Sequence, residues 1–192
     1  MPSFDRPDRP PAEPSPWVVR FAPLIEPGGL VLDLACGHGR HARHLAELGH
    51  RVVAADIDVA GLNDLADDPQ ITVLERDLEA HPWPFDAGQF DGIVVANYLH
   101  RAHFPLLVDA LAEGGVLLFD TFGAGNELLG RPRNPQFLLQ PGELWDAVAS
   151  ALTVIAYEHG SETTPRPAVR QRLCAAKRAA PCPLLAPEPW VI

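Results

Sequence analysis

The stretch Leu30–Asp58, LVLDLACGHGRHARHLAELGHRVVAADID, constrains the fold more than any other part of the chain. An apolar run carrying Asp33 meets two glycines, Gly37 and Gly39. A helical pattern follows through His41, Leu45 and Leu48, and a second apolar run ends at Asp56. Glycine turns of this kind bring the N–H groups at a helix start within reach of a ligand. An acid about 20 residues beyond the glycines is placed to bind a ribose, and Asp56 stands 19 positions after Gly37. The segment reads as a nucleoside-binding βαβ unit.

Gly37-His38-Gly39-Arg40-His41-Ala42 also satisfies the dinucleotide pattern G-x-G-x-x-G/A, which seats a pyrophosphate on a helix N-terminus. Asp33 argues against that ligand. A carboxylate four residues before Gly37, facing the same crevice, repels a pyrophosphate and attracts an ammonium such as that of S-adenosylmethionine. With Asp33-Leu34-Ala35-Cys36-Gly37-His38-Gly39 the chain resembles the class I S-adenosylmethionine-dependent methyltransferases, whose first motif is an acid, a small residue and Gly-x-Gly. Ala35 stands where that family often has glycine, a departure that leaves the turn intact.

The resemblance continues in the family's order over residues 28 to 122. Asp56 matches the ribose-binding acid and Ile57 the adenine-packing residue beside it. Glu75-Arg76-Asp77-Leu78 matches the motif after the third strand, which implies that Asp77 accepts from the adenine amino group and that the Leu78 N–H meets a ring nitrogen. Phe90 to Asn97 resembles the fourth strand and its active-site motif, and Leu111 to Leu118 the turn into the fifth. The resemblance thus implies S-adenosylmethionine as cofactor, held by Asp33, Ala35, Gly37, Gly39, Asp56, Ile57, Asp77, Leu78 and Asn97. It also implies a Rossmann-like α/β fold, a doubly wound, seven-stranded, mostly parallel sheet with an antiparallel C-terminal hairpin. Within the superfamily, the compact form, the Gly39-Arg40 helix start and the short N-terminus are similar to the tellurite-resistance methyltransferases.

The rest of the chain agrees with that architecture. Strand patterns at about 30–35, 51–56, 71–75, 90–96 and 115–121 alternate with helical patterns at 39–49, 58–67 and 103–112. Alternation of this kind implies a parallel sheet with right-handed crossovers, binding its ligands beyond the strand C-termini. After a long loop at 121–140, a helix is expected from 141 to about 149, then strands at 152–159 and 168–176. The 192 residues suit a single methyltransferase domain at 17–180. Residues 1–16, with six prolines, read as a flexible arm, and 181–192 as a Pro-rich tail.

Composition narrows the partners. The formal charge of −10 lacks the electrostatic footprint of phosphate-backbone binding, so nucleic acid is not the expected partner. No apolar run approaches the roughly 20 residues of a membrane helix, and the N-terminus has no apolar signal core. Three cysteines without CxxC spacing suit reduced thiols, and the expected location is cytoplasmic. Cys36, in the glycine turn, reads as a small filler rather than a nucleophile.

The segment Asn97 to His103 follows the fourth strand and is expected to border the transferable methyl. His100 is the candidate general base, since histidine titrates near neutral pH. Tyr98 is expected as pocket wall and Arg101 as an anion-binding residue; Arg131 and Arg133 in the following loop would suit an anionic substrate. His38, His41 and His44 recur every three residues but bring no further ligand for a metal. The leading expectation is methyl transfer to a small-molecule acceptor. A catalytically silent S-adenosylmethionine-binding regulatory or partner-activating subunit is the alternative, and a nicotinamide dehydrogenase a third reading that Asp33 and Asp77 oppose. Segments 17–25 and 121–140 are expected to close over the cofactor.

Overall fold

The computed structural model describes residues 13–178; residues 1–12 of the arm expected at 1–16, and the tail at 181–192, lie outside the described residues. Seven strands form one sheet: β1 (Leu30–Leu34), β2 (Arg51–Asp56), β3 (Ile71–Glu75), β4 (Phe90–Ala96), β5 (Leu111–Phe122), β6 (Thr153–Glu162) and β7 (Ala168–Ala176). Their order is β3-β2-β1-β4-β5-β7-β6. Neighbours from β3 across to β5 are parallel, and β7 runs antiparallel to both β5 and β6. The expected Rossmann-like sheet and its antiparallel hairpin are therefore present. The order reverses between β1 and β4, where open α/β sheets leave a crevice at their C-terminal ends.

Helices cover both faces. On one lie α1 (Pro16–Phe21) and α2 (Arg40–Glu47), packed on Val31, Val94, Val116 and Leu118; on the other lie α3 (Phe104–Ala110) and α4 (Glu143–Val148), packed on Leu32, Leu34, Leu117 and Phe119. Successive strand residues point to opposite faces, so a doubly covered sheet needs unbroken apolar runs such as Val116-Leu117-Leu118-Phe119. Among the described residues no helix is long and apolar enough to cross a membrane.

Four local expectations need correction. The helix expected at 58–67 is a 3-10 segment, Ala60–Leu65, capped by the Asp58 carboxylate accepting from the Ala60 N–H at 3.0 Å. Its buried residues, Leu62 and Leu65, are three apart, the repeat of a 3-10 turn, and Asn63 and Asp64 are weak helix formers. The helix expected to reach 112 ends at Ala110, because Leu111 turns extended and pairs with Phe90, starting β5 early. The lead segment is a core element rather than a cover: Trp17, Val18, Phe21, Ala22 and Ile25 are all buried, and the Trp17 indole N–H donates to the Leu173 carbonyl. The arm, finally, does not extend to residue 16, since Ser15 is buried and caps α1.

Candidate functional site

The glycine turn leaves β1 through Ala35, at φ +54°, a left-handed conformation that disfavours any residue with a Cβ. Gly37 and Gly39 follow at φ +55° and +72°. The two glycines serve different ends. A Cβ on Gly39 would stand 2.8 Å from Leu62 and 2.9 Å from Leu65, so this position lets the 3-10 segment pack. A Cβ on Gly37 would meet no atom within 4 Å; there only the backbone conformation, not the packing, calls for glycine.

Asp56, at the end of β2, joins this turn to the neighbouring strand. Its Oδ2 accepts from the Gly37 N–H at 2.7 Å and its Oδ1 from the Asp58 N–H at 3.1 Å. A carboxylate has about four lone-pair positions, so each oxygen retains one for a ligand hydroxyl. Asp77 is arranged likewise beyond β3: Oδ1 accepts from the Glu79 and Ala80 N–H groups at 3.0 and 2.9 Å, and no protein donor engages Oδ2 among the described residues.

A cleft of about 580 Å³ connects these groups, lined by Ala35, Asp56, Ile57, Asp77, Leu78 and Tyr98 among others. Ile57 presents an apolar side chain, 62% exposed, between the two acids. The donor set fits S-adenosylmethionine: an acid for a ribose diol, an apolar wall for a purine, and a second acid for an exocyclic amino group.

Asp33 is not on this wall. It is 1% exposed, and its Oδ2 accepts from the Ala42 N–H at 2.9 Å, anchoring α2 from beneath. Burial pushes its carboxyl up to about 7, against the pull of the Ala42 hydrogen bond and of Arg40. The expectation that it faces the crevice fails because α2 lies over it. His41 stands 3.8 Å away; burial, with Arg40 nearby, lowers it to about 3, so the ring is neutral. Its Nε2 accepts from the Ser15 N–H at 3.1 Å, which leaves the proton on Nδ1, facing Asp33. Ser15 in turn donates through Oγ to Asp120 at 2.6 Å. The histidine repeat thus serves packing: His41 lies inside this chain of contacts, and His38 lies against Gly61. Burial also pushes the Cys36 thiol up, leaving it unreactive.

The segment after β4 divides. Asn97, at φ +56°, accepts at Oδ1 from Arg170 at 2.8 Å. Tyr98 donates to Glu79 at 3.0 Å, and burial with that contact raises its phenol. His100 Nδ1 stands 3.5 Å from the other Glu79 oxygen, and its ring lies against His103. Tyr98 and His100 therefore gather at Glu79, on the Asp77 side of the cleft, away from the Asn97–Arg170 junction. Arg101 is not an anion site: its donors go to both Glu143 oxygens and to the Gln136 and Leu138 carbonyls at 2.5–3.0 Å. It clamps the loop before α4.

Sequence reasoning missed Glu79 and Arg170. Glu79 stands two residues past Asp77, a signal that was readable. Arg170 was one of several C-terminal arginines, and only the antiparallel register of β7 brings it to Asn97 and Asp120.

Comparison with known proteins agrees with this geometry. Residues 31–117 match the family model described as a methyltransferase domain. Protein-L-isoaspartate O-methyltransferase of Chlorobaculum tepidum is 37% identical over 115 residues, 54% of this chain and 51% of that protein. The chain spans about half the length of the curated relatives it matches. The crystal structure of TehB from Haemophilus influenzae superposes with a TM-score of 0.70 at 21% identity, over 83% of this chain and 61% of that one. Burkholderia thailandensis 1,6-didemethyltoxoflavin-N1-methyltransferase, solved with its substrate and S-adenosylhomocysteine, gives 0.64 at 18% identity, over 84% and 76%. In strand order, glycine turn, acid series and domain match, the chain is similar to the class I S-adenosylmethionine-dependent methyltransferases, with a methyltransferase domain matched over residues 31–117.

Proposed function

We propose that the chain transfers the methyl group of S-adenosylmethionine to a small-molecule acceptor in the cytoplasm. The observation that carries this reading is the pair of acids along one cleft: Asp56, tied to the glycine turn, and Asp77, one strand further on, with Ile57 between. In this reading Asp56 binds the ribose hydroxyls, Ile57 and Leu78 hold the purine, and Asp77 Oδ2 accepts from its amino group. Ala35 and Gly37 shape the backbone that borders the sulfonium, and Asn97 borders the methyl. Bound S-adenosylmethionine supplies an electrophilic methyl, so the protein's main task is alignment of acceptor, carbon and sulfur. A small acceptor agrees with the net charge of −10, which opposes nucleic acid, and with the fold relative whose substrate is a small heterocycle. The buried free thiols Cys36 and Cys174 suit a reducing compartment.

Calorimetry with S-adenosylhomocysteine and NAD tests the cofactor assignment; the former should bind and the latter should not. Asp56→Ala should weaken S-adenosylhomocysteine by about 1.5–3 kcal/mol, the worth of hydrogen bonds to a charged group. Unchanged affinity in a folded variant would remove Asp56 from the site. Release of S-adenosylhomocysteine across an acceptor panel, with mass spectrometry of the product, separates transfer from silent binding.

A further inference from the structure

A second cavity of about 440 Å³ opens at the far end of the hairpin, lined by Tyr157, Glu158, His159, Glu162, Arg170 and Arg172 among others. It sits at the C-terminal ends of β5 and β6, the same end of the sheet as the cofactor cleft. Arg170 connects the two: its guanidinium lines the cavity, and its Nη1 donates to Asn97 at the tip of β4, beside the β1 strand that ends in the glycine turn.

We infer that this cavity is the acceptor chamber and that it takes a small nitrogen compound bearing N–H donors, an amine or an N–H heterocycle, rather than an oxyanion or carboxylate. The inference rests on the methyl-transfer reading and names its substrate class.

The charge arrangement carries the choice. An anion needs an uncommitted cation, and both arginines here are engaged. Arg170 gives Nε and Nη2 to Asp120, gives Nη1 to Asn97, and lies over the Phe122 ring at 4.3 Å. Arg172 gives Nε to Asp120, Nη1 to Glu158 and Nη2 to Glu162. Glu158 and Glu162, which line the cavity, balance the two arginines there, and Arg40 faces Asp120 behind them, so no surplus cation is left for an anion. The Glu158 side chain remains 51% exposed, with acceptor capacity left for an incoming N–H. The other arginines offered for anion binding do not enter: Arg101 is clamped to Glu143, and neither Arg131 nor Arg133 lines the cavity.

The chemistry balances with these groups. The acceptor reacts as the free base, an amine first giving its ammonium proton to water; the nitrogen lone pair then forms the new N–C bond as the C–S bond breaks, and the pair of that bond stays on sulfur, leaving neutral S-adenosylhomocysteine. The positive charge passes from sulfur to nitrogen, and the half-exposed Glu158 carboxylate favours the transition state that spreads it. The N–H proton then leaves the methylated nitrogen for a carboxylate or His159 at the cavity mouth, and onward to water.

Benzylamine and benzoate, matched in size and opposite in charge, are suitable probes. Each is titrated into the isotope-labelled protein saturated with S-adenosylhomocysteine, and amide shifts are followed by NMR. Benzylamine should bind at least tenfold more tightly than benzoate, with shifts at 157–162 and 170–172. Glu158→Gln, at a half-exposed position that leaves the fold intact, should weaken benzylamine about three- to tenfold. Tighter binding of benzoate, or benzylamine shifts centred on Tyr98 and His100, would overturn the assignment. The cofactor titration is read separately, so failure of S-adenosylhomocysteine to bind strikes the methyl-transfer reading, not the charge preference of the cavity.

Discussion

Ala35 holds a φ of +54° without being glycine, at the point where β1 enters the turn. The left-handed conformation costs a residue with a Cβ about 1–2 kcal/mol, and glycine recovers it at the expense of a more disordered unfolded chain, about 0.5–1 kcal/mol. Ala35→Gly should therefore stabilise the fold by up to about 1 kcal/mol in urea unfolding. A destabilised variant would show that the methyl group packs usefully in the cleft wall. Asp33 makes a sharper prediction. The folded carboxyl titrates at about 7 because it is buried, whereas in the unfolded chain it titrates near ~4. Between these values the folded state binds the extra proton, so this group's contribution to stability falls as pH rises and is flat above 7. His41 works in the opposite sense between about 3 and its unfolded value near ~6.5, largely masking the slope in the parent. Asp33→Asn removes only the acid. The stability of the variant relative to the parent should climb from pH 4 to pH 7, reaching a gain of about 1–3 kcal/mol, and then level off. Parallel curves in urea melts across that range would mean that the carboxyl is already ionised when folded.

Among the elements, the parallel strands were the most readable, because strands covered on both faces must be apolar throughout and end at polar turns. Ile93 to Ala96 and Val116 to Phe119 show this plainly. The 3-10 segment Ala60–Leu65 was not readable as such: leucines three apart fit either helix, and the close approach of Gly61 to His38 joins residues far apart in sequence. The 121–140 loop was legible as long, but not as anchored. Leu138 and Leu139 are buried, Gly123 bridges to Leu139, and Arg101 holds the Gln136 and Leu138 carbonyls, none of which a local pattern announces. Arg101→Met keeps the length of the side chain and removes the clamp. It should cost about 1–2 kcal/mol, a modest figure because the pair with Glu143 is partly exposed. Amide exchange at 136–143 should accelerate in the same variant. Unchanged exchange there would show that Leu138 and Leu139 anchor the loop by themselves.

Across the whole molecule, the candidate cofactor residues could be picked out because they follow short spacings from single strands, whereas the contacts around Arg170 join distant strands. Ser15, Asp120, Arg170 and Asn97 stand at the N-terminal segment, β5, β7 and β4, and their hydrogen bonds tie those parts into one frame beside the glycine turn. That frame changes what cofactor binding should do to the protein. The lead helix, expected from its sequence to close over the ligand, is already buried, with Trp17 and Phe21 below 5% exposed. Closure is therefore left to segments whose backbone borders the cleft: the turn at 35–39, Ile57 and Asp58, and residues 77–80, anchored to the core through Cys36 and Leu78. Hydrogen exchange with and without S-adenosylhomocysteine separates the two pictures. Amides at 17–25 should be slow in both states, because opening them requires the core to open. Amides at 35–39, 57–58 and 77–80 should slow at least tenfold on binding. A ligand-dependent change at 17–25 as large as that in the glycine turn would show α1 to be a moving cover after all, and the Ser15–Asp120 hydrogen bond would then be the contact that opens.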